Sequence, residues 1–191
     1  GIAPDRLILL GGSTWAGEEE ALLDVYKELR ATIKELVLVL VPRHAERRDK
    51  VLSAIADRGL SVVRRTEVKP GASAAPDVLL VDTTGELRSF YACADVIFVG
   101  KSLCEHGGQN IIEPALCGKP IIVGPNMENF AVVAQDFLAA GALVQVRDAA
   151  GLRDAARELL SDRAKRAAMG ERARRLVGEK SGAVRKTLDL V

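Results

Sequence analysis

Aromatic residues are scarce in this chain: four Phe, two Tyr and one Trp among 191 positions. The interior must therefore be filled mainly by aliphatic side chains. A hydrophobic content of 48% with seventeen glycines suits an α/β domain built on Val, Leu, Ala and Gly. Cysteine is also sparse. Cys93, Cys104 and Cys117 are odd in number and loosely spaced, which argues against a disulfide framework and a CxxC metal site, and for plain reduced thiols. No excess of one charge exists: 27 Lys and Arg stand against 26 Asp and Glu, so there is no global electrostatic case for a nucleic-acid partner. No apolar run approaches the roughly 18 to 20 residues needed to span a bilayer, and no signal peptide is visible. The opening Gly1-Ile2-Ala3-Pro4-Asp5 reads as a boundary or linker, so the chain is expected to be a piece of something larger.

What is present is a regular alternation of short apolar runs and amphipathic stretches. Strands are predicted at Arg6 to Gly11, Leu36 to Val41, Ser61 to Arg64, Val78 to Val81, Val96 to Val99, Pro120 to Val123 and Leu143 to Val146. Helices are predicted at Glu18 to Ala31, where Glu18, Glu19 and Glu20 favour the positive end of the macrodipole, and at Asp49 to Arg58, Glu86 to Ala94 and Asn129 to Ala140. Gly12 to Gly17 reads as a turn and Lys69 to Pro76 as a loop. After Asp148 the chain reads as helical to its end, with breaks expected at Gly170, Gly178 and Gly182. Strands alternating with helices call for a Rossmann-like parallel sheet with helices on both faces.

In such a sheet, ligands bind beyond the carboxyl ends of the strands, and four polar segments follow predicted strands. The run Gly107-Gly108-Gln109-Asn110-Ile111-Ile112-Glu113-Pro114 reads as a glycine turn opening a helix. Backbone N–H groups there suit an anion, and the Glu113 carboxylate can accept from sugar hydroxyls. Together they suggest a nucleotide or nucleotide-sugar site. Gly12-Ser13-Thr14-Trp15-Ala16-Gly17-Glu18-Glu19 is not a P-loop, because Glu18 stands where the phosphate lysine must be, and it lacks the GxGxxG fingerprint of a dehydrogenase. Ser13 and Thr14 can donate hydroxyls to a ligand or serve as turn and helix cap. Pro42-Arg43-His44 puts an arginine just past a buried strand, where it suits bidentate binding of phosphate or carboxylate. His44 is open between general acid, hydrogen-bond donor and structural cap. Asp82-Thr83-Thr84-Gly85-Glu86 reads as a second turn-to-helix anion site or, taken alone, as a plain helix start with acids in its first turn. Cys104 and His106 lack further metal ligands at a workable spacing, so no metal is expected. Residues 163 to 186 hold nine basic residues against Glu171 and Glu179, either a solvated helix face or a contact for an anionic membrane surface.

Taken in order, these segments resemble the carboxyl-terminal half of the Kdo (3-deoxy-D-manno-octulosonic acid) transferases, glycosyltransferases of the GT-B fold. The resemblance runs over roughly residues 7 to 140, through Gly12-Ser13-Thr14, Pro42-Arg43-His44, Gly85-Glu86-Leu87, Ser102-Leu103, Gly107-Gly108, Asn110, Glu113-Pro114, Gly118-Lys119-Pro120 and Gly124-Pro125. Trp15 and Gln109 stand where the family usually has His, and Lys101 where it usually has Gly.

The resemblance implies a single nucleotide-sugar-binding domain over 1–191, with 148–191 a helical carboxyl-terminal extension and the amino-terminal acceptor domain absent. CMP-Kdo would be the donor and a lipid A precursor the acceptor, reached through the missing domain; no metal or other cofactor is expected. Arg43 would contact the donor phosphate or cytidine, Gly85 and Glu86 would line the nucleotide pocket, Asn110 and the turn before it would meet the phosphate, and Glu113 the ribose. The family places the full-length enzyme at the cytoplasmic face of the bacterial inner membrane; a soluble fragment is expected here, binding nucleotide weakly or not at all and inactive alone. A GT-B transferase or epimerase using a UDP-sugar, and a non-catalytic nucleotide-binding module, are the alternatives.

Overall fold

The computed structural model describes residues 2–3, 5–69 and 76–188. Strands and helices alternate as β1 (Leu7–Thr14), α1 (Glu18–Arg30), β2 (Leu36–Pro42), α2 (Arg48–Asp57), β3 (Val62–Arg64), β4 (Val78–Leu80), α3 (Leu87–Cys93), β5 (Val96–Val99), α4 (Ile112–Leu116), β6 (Ile121–Val123), α5 (Ala131–Ala139), β7 (Val144–Gln145), α6 (Ala149–Ser161) and α7 (Arg163–Leu188). All strand pairs are parallel, in the order β3-β4-β2-β1-β5-β6-β7. The order reverses between β1 and β5, and loops leaving adjacent strands in opposite directions open a crevice there.

Alternation along each buried strand divides the core in two. Leu9, Leu38, Leu40, Val96 and Phe98 face α1, α2 and α6, whereas Leu10, Val39, Val41, Ile97 and Val99 face α3, α4, α5 and the middle of α7. The expected parallel sheet with helices on both faces is thus observed. Helix α6 is part of the interior: Leu152, Ala156, Leu159 and Leu160 are buried against the first cluster.

Two local expectations are corrected. The segment predicted as a turn from Gly12 is strand as far as Thr14, with a bulge between Gly12 and Thr14 that leaves Ser13 in the left-handed region at φ +52°. Nor do glycines break the last helix: α7 runs from Arg163 to Leu188 through positions 170, 178 and 182. Gly170 is there for close approach, since a Cβ at this position would lie 1.9 Å from the Gly118 carbonyl oxygen. The predicted Lys69–Pro76 loop falls, at residues 70–75, outside the described residues.

Candidate functional site

The predicted site residues lie at or just beyond the carboxyl ends of β1, β2, β4 and β5. The β1 end is largely internal. Thr14 is fully buried and donates its hydroxyl to the Glu19 carboxylate at 3.0 Å, and Ser13 is only 8% exposed. Glu19 also receives Arg47 at 3.0 Å. Burial nevertheless raises the Glu19 carboxyl above the ordinary value, outweighing Arg47 and Thr14. Neither Ser13 nor Thr14 caps α1; Gly17 is its N-cap and the Gly17 N–H is accepted by Glu20 at 3.0 Å. Trp15 therefore forms the crevice wall on this side.

Around Trp15 the three loops meet. The His44 ring packs edge-on against the indole with centroids 4.9 Å apart, and the Lys101 ammonium lies 4.6 Å from the indole centroid. His44 also pairs with Glu46 at 3.4 Å. Arg43 continues the β2 ladder, its N–H donated to the Thr14 carbonyl at 3.0 Å, while its exposed guanidinium has no partner among the described residues. Two of the three family departures, Trp15 and Lys101, are thus in direct contact.

After β4, Gly85 adopts φ +82° and is exposed. Glu86 is the N-cap of α3, and its carboxylate is held by Thr83 and by Arg65 at 3.0 Å, which lowers its pKa, the Thr83 hydrogen bond contributing most. Of this pair Gly85 presents open backbone, whereas Glu86 is occupied by its neighbours.

The glycine turn after β5 differs from expectation in which N–H groups it offers. The Gly107 N–H is donated to Glu128 at 2.7 Å and the Gly108 N–H to the Lys101 carbonyl at 2.8 Å. The Asn110 side-chain oxygen accepts the Ile112 N–H at 2.9 Å just ahead of α4, a helix of five residues. Among the described residues, the N–H groups of Gln109, Asn110 and Ile111 are left without partners. Ile111 is fully buried, so the offer to an anion moves to Gln109 and Asn110. Glu113, exposed in the first turn of α4, has no hydrogen-bond or ion-pair partner among the described residues. It lies close enough to Tyr91 that its charge, after burial, helps raise the phenol above its usual range.

His106 pairs with Glu128 at 2.9 Å, and this hydrogen bond holds the Glu128 carboxyl down at about 2. Among the described residues no group of three or more His, Cys, Asp or Glu could hold a metal ion. The Cys104 thiol is pushed up by burial and by the acidic residues near it, which opposes thiolate chemistry. A cavity of about 910 Å³ lies elsewhere, over Val39, Val63 and Leu79, and reaches the amino ends of β1 and β5 at Leu7 and Asp95. Ligands of parallel sheets occupy the opposite end, so the crevice remains the candidate site.

Sequence reading missed three residues that build this site: Glu18, Ser102 and Glu128. Glu18 and Ser102 are fully buried. The partners that tie them across the site are 21 to 85 residues away in the chain, so no local pattern could announce them.

Comparison with known proteins shows the family and the fold. A family model of the group 1 glycosyl transferases matches residues 71–176. The 3-deoxy-D-manno-octulosonic acid transferase of Bordetella pertussis is 39% identical over 190 residues, covering 98% of this chain and 44% of that protein. Its counterpart in Haemophilus influenzae is 33% identical over 189 residues, with the same coverage of 98% and 44%. The chain thus spans under half the length of these relatives. Among solved structures, the C-terminal CMP-Kdo binding domain of WaaA from Acinetobacter baumannii superposes with a TM-score of 0.83 at 33% identity, covering 91% of this chain and 90% of that one. Anabaena HepE in complex with UDP and glucose shares the fold, with a TM-score of 0.65 at 16% identity over 98% of this chain and 49% of that one.

Proposed function

The chain belongs to the group 1 glycosyl transferases, and from that premise we propose that it is the donor-binding half of a Kdo transferase. In this reading it holds CMP-Kdo while Kdo passes to a lipid A precursor in lipopolysaccharide biosynthesis. The observation that carries the proposal is the likeness, over nine-tenths of both chains, to a domain described as binding CMP-Kdo. The crevice supplies suitable chemistry. Arg43 offers an unpaired guanidinium to the phosphate. Two consecutive free N–H groups, those of Gln109 and Asn110, offer further donors to an anion. The free Glu113 carboxylate can accept from ribose hydroxyls. Such groups stabilise the negative charge that develops on a departing nucleotide. The acceptor site and catalytic base are then expected in sequence outside these 191 residues, together with the contact to the membrane.

Titration with CMP, UDP and CDP, followed by calorimetry and by the fluorescence of Trp15, the single tryptophan of the chain, tests the reading. CMP is expected to bind most strongly, though weakly on this chain alone. Arg43→Ala is expected to weaken it about tenfold, as for loss of one charged hydrogen bond. A UDP response equal to or stronger than that of CMP would move the assignment to a UDP-sugar enzyme.

A further inference from the structure

Two loops border the crevice, the turn after β1 and the loop after β5, and one side chain joins them. Glu18 is 0% exposed. Its Oε2 accepts the N–H groups of Trp15 at 2.9 Å and Lys101 at 2.8 Å; its Oε1 accepts those of Ser102 and Leu103, both at 2.9 Å. A carboxylate has about four acceptor sites, and backbone donors fill all of them. That satisfaction offsets the cost of burying the group. Gly100 makes room: a Cβ there would stand 2.8 Å from Glu18 Oε2 and 2.4 Å from the Ser13 carbonyl oxygen.

The loop that Glu18 holds passes the constraint onward. The Lys101 carbonyl accepts the Gly108 N–H at 2.8 Å, the Ser102 carbonyl accepts the Asn126 N–H at 2.9 Å, and the Ser102 hydroxyl accepts the Gly124 N–H at 2.9 Å. Because Trp15 and Lys101 share one carboxylate oxygen, their backbones are fixed relative to each other, and the ammonium is set over the indole. We propose that Glu18 is the positioning residue of the donor crevice. Its buried carboxylate sets the distance between the two loops and presents the Trp15–Lys101 pair and the turn from Gly108 to the nucleotide, without itself touching ligand. The nucleotide part of this proposal rests on the function proposed above.

Glutamine has the same shape but only one acceptor oxygen. Its amide nitrogen would face two of the four N–H groups donor to donor, leaving them unsatisfied. The test is amide hydrogen exchange and CMP titration by NMR on the wild-type chain, Glu18→Gln and Leu159→Ala. In the wild type, the amides of Lys101, Ser102 and Leu103 are expected to exchange as slowly as those of β5, although they lie in an irregular loop. Ordinary loop exchange there overturns the proposal whether or not the Glu18 variant folds. In Glu18→Gln these amides and that of Gly108 are expected to exchange at least tenfold faster while β2 keeps its protection, and CMP to bind at least fivefold more weakly. Leu159→Ala opens a cavity at the amino end of the sheet, and it controls for lost stability. It should lower protection throughout yet keep CMP affinity within twofold. Wild-type loop protection and affinity in Glu18→Gln, or an equal loss of affinity in Leu159→Ala, also overturns the proposal. A wild-type chain that binds UDP in place of CMP sinks the CMP assignment alone, and the variants are then compared with UDP. One that binds no nucleotide leaves the decision to the exchange rates.

Discussion

Lys101 stands at φ +55° and Ser13 at φ +52°, the two non-glycine residues with left-handed backbone among those described, and both border the crevice. A side chain in that region costs about 1 kcal/mol or more. Lys101→Gly is therefore expected to stabilise the fold by on the order of 1 kcal/mol, read from the urea midpoint, while the Trp15 emission shifts as the ammonium leaves its face. An unchanged emission would mean that the ammonium does not sit on the indole in solution. Glu128 offers a pH test. Its folded pKa, about 2, lies below the ordinary 4.5. The stability this carboxylate contributes is thus fully present above about 4.5 and lost as pH falls through about 2. Carbon-13 titration of the Glu128 carboxyl should show that low midpoint, and His106→Ala should raise it toward 4.5. At this scale the sequence was only partly legible. Arg43 and Glu113 could be singled out because type and position relative to a strand or helix start suffice. Glu18 could be read only as a helix-start acid, since its acceptor role depends on residues brought from 83 to 85 positions away.

Among the elements, α7 shows why a glycine's meaning depends on its neighbours. Gly170 and Gly178 look alike in sequence and both lie inside the helix. A Cβ at 170 would meet the Gly118 carbonyl oxygen at 1.9 Å, whereas at 178 it would meet nothing within 4 Å. Gly170→Ala is expected to push α7 away from the turn before β6 and destabilise by about 1 to 3 kcal/mol. Gly178→Ala should stabilise by up to about 1 kcal/mol through helix propensity. Thermal unfolding of the two variants, shifting in opposite directions, checks the pair. The strands of aliphatic run and the helices of amphipathic spacing were readable because both periods are local. The extension of β1 through Thr14 was not, because it rests on pairing with Val41 and Pro42 and the need for glycine at 12 is tertiary, a Cβ there meeting Tyr91 at 2.9 Å.

For the whole molecule, the alternation of elements sufficed to identify a parallel sheet with helices on both faces, because alternating strands and helices admit few topologies. The basic surface of α7 is less free than its composition suggests. Arg166 pairs with Asp95 at 3.7 Å and caps the carbonyls of Leu159 and Leu160, Arg172 donates to the Gly141 carbonyl at 2.8 Å, and Arg174 and Arg175 pair with Glu171 and Glu179. Among the described residues no helix is long and apolar enough to cross a membrane. Any attraction of this chain to anionic vesicles should therefore be weak and abolished by added salt; co-sedimentation at low and high ionic strength measures it. The Glu18 bridge also bears on the time course of folding. It spans 83 to 85 residues, so its closure entropy falls due only once β1, β2 and β5 have assembled. Before residues 101–103 join them, β1 and β2 can build part of a sheet but no crevice. The binding edge is completed late, by the same contact that holds it open afterwards.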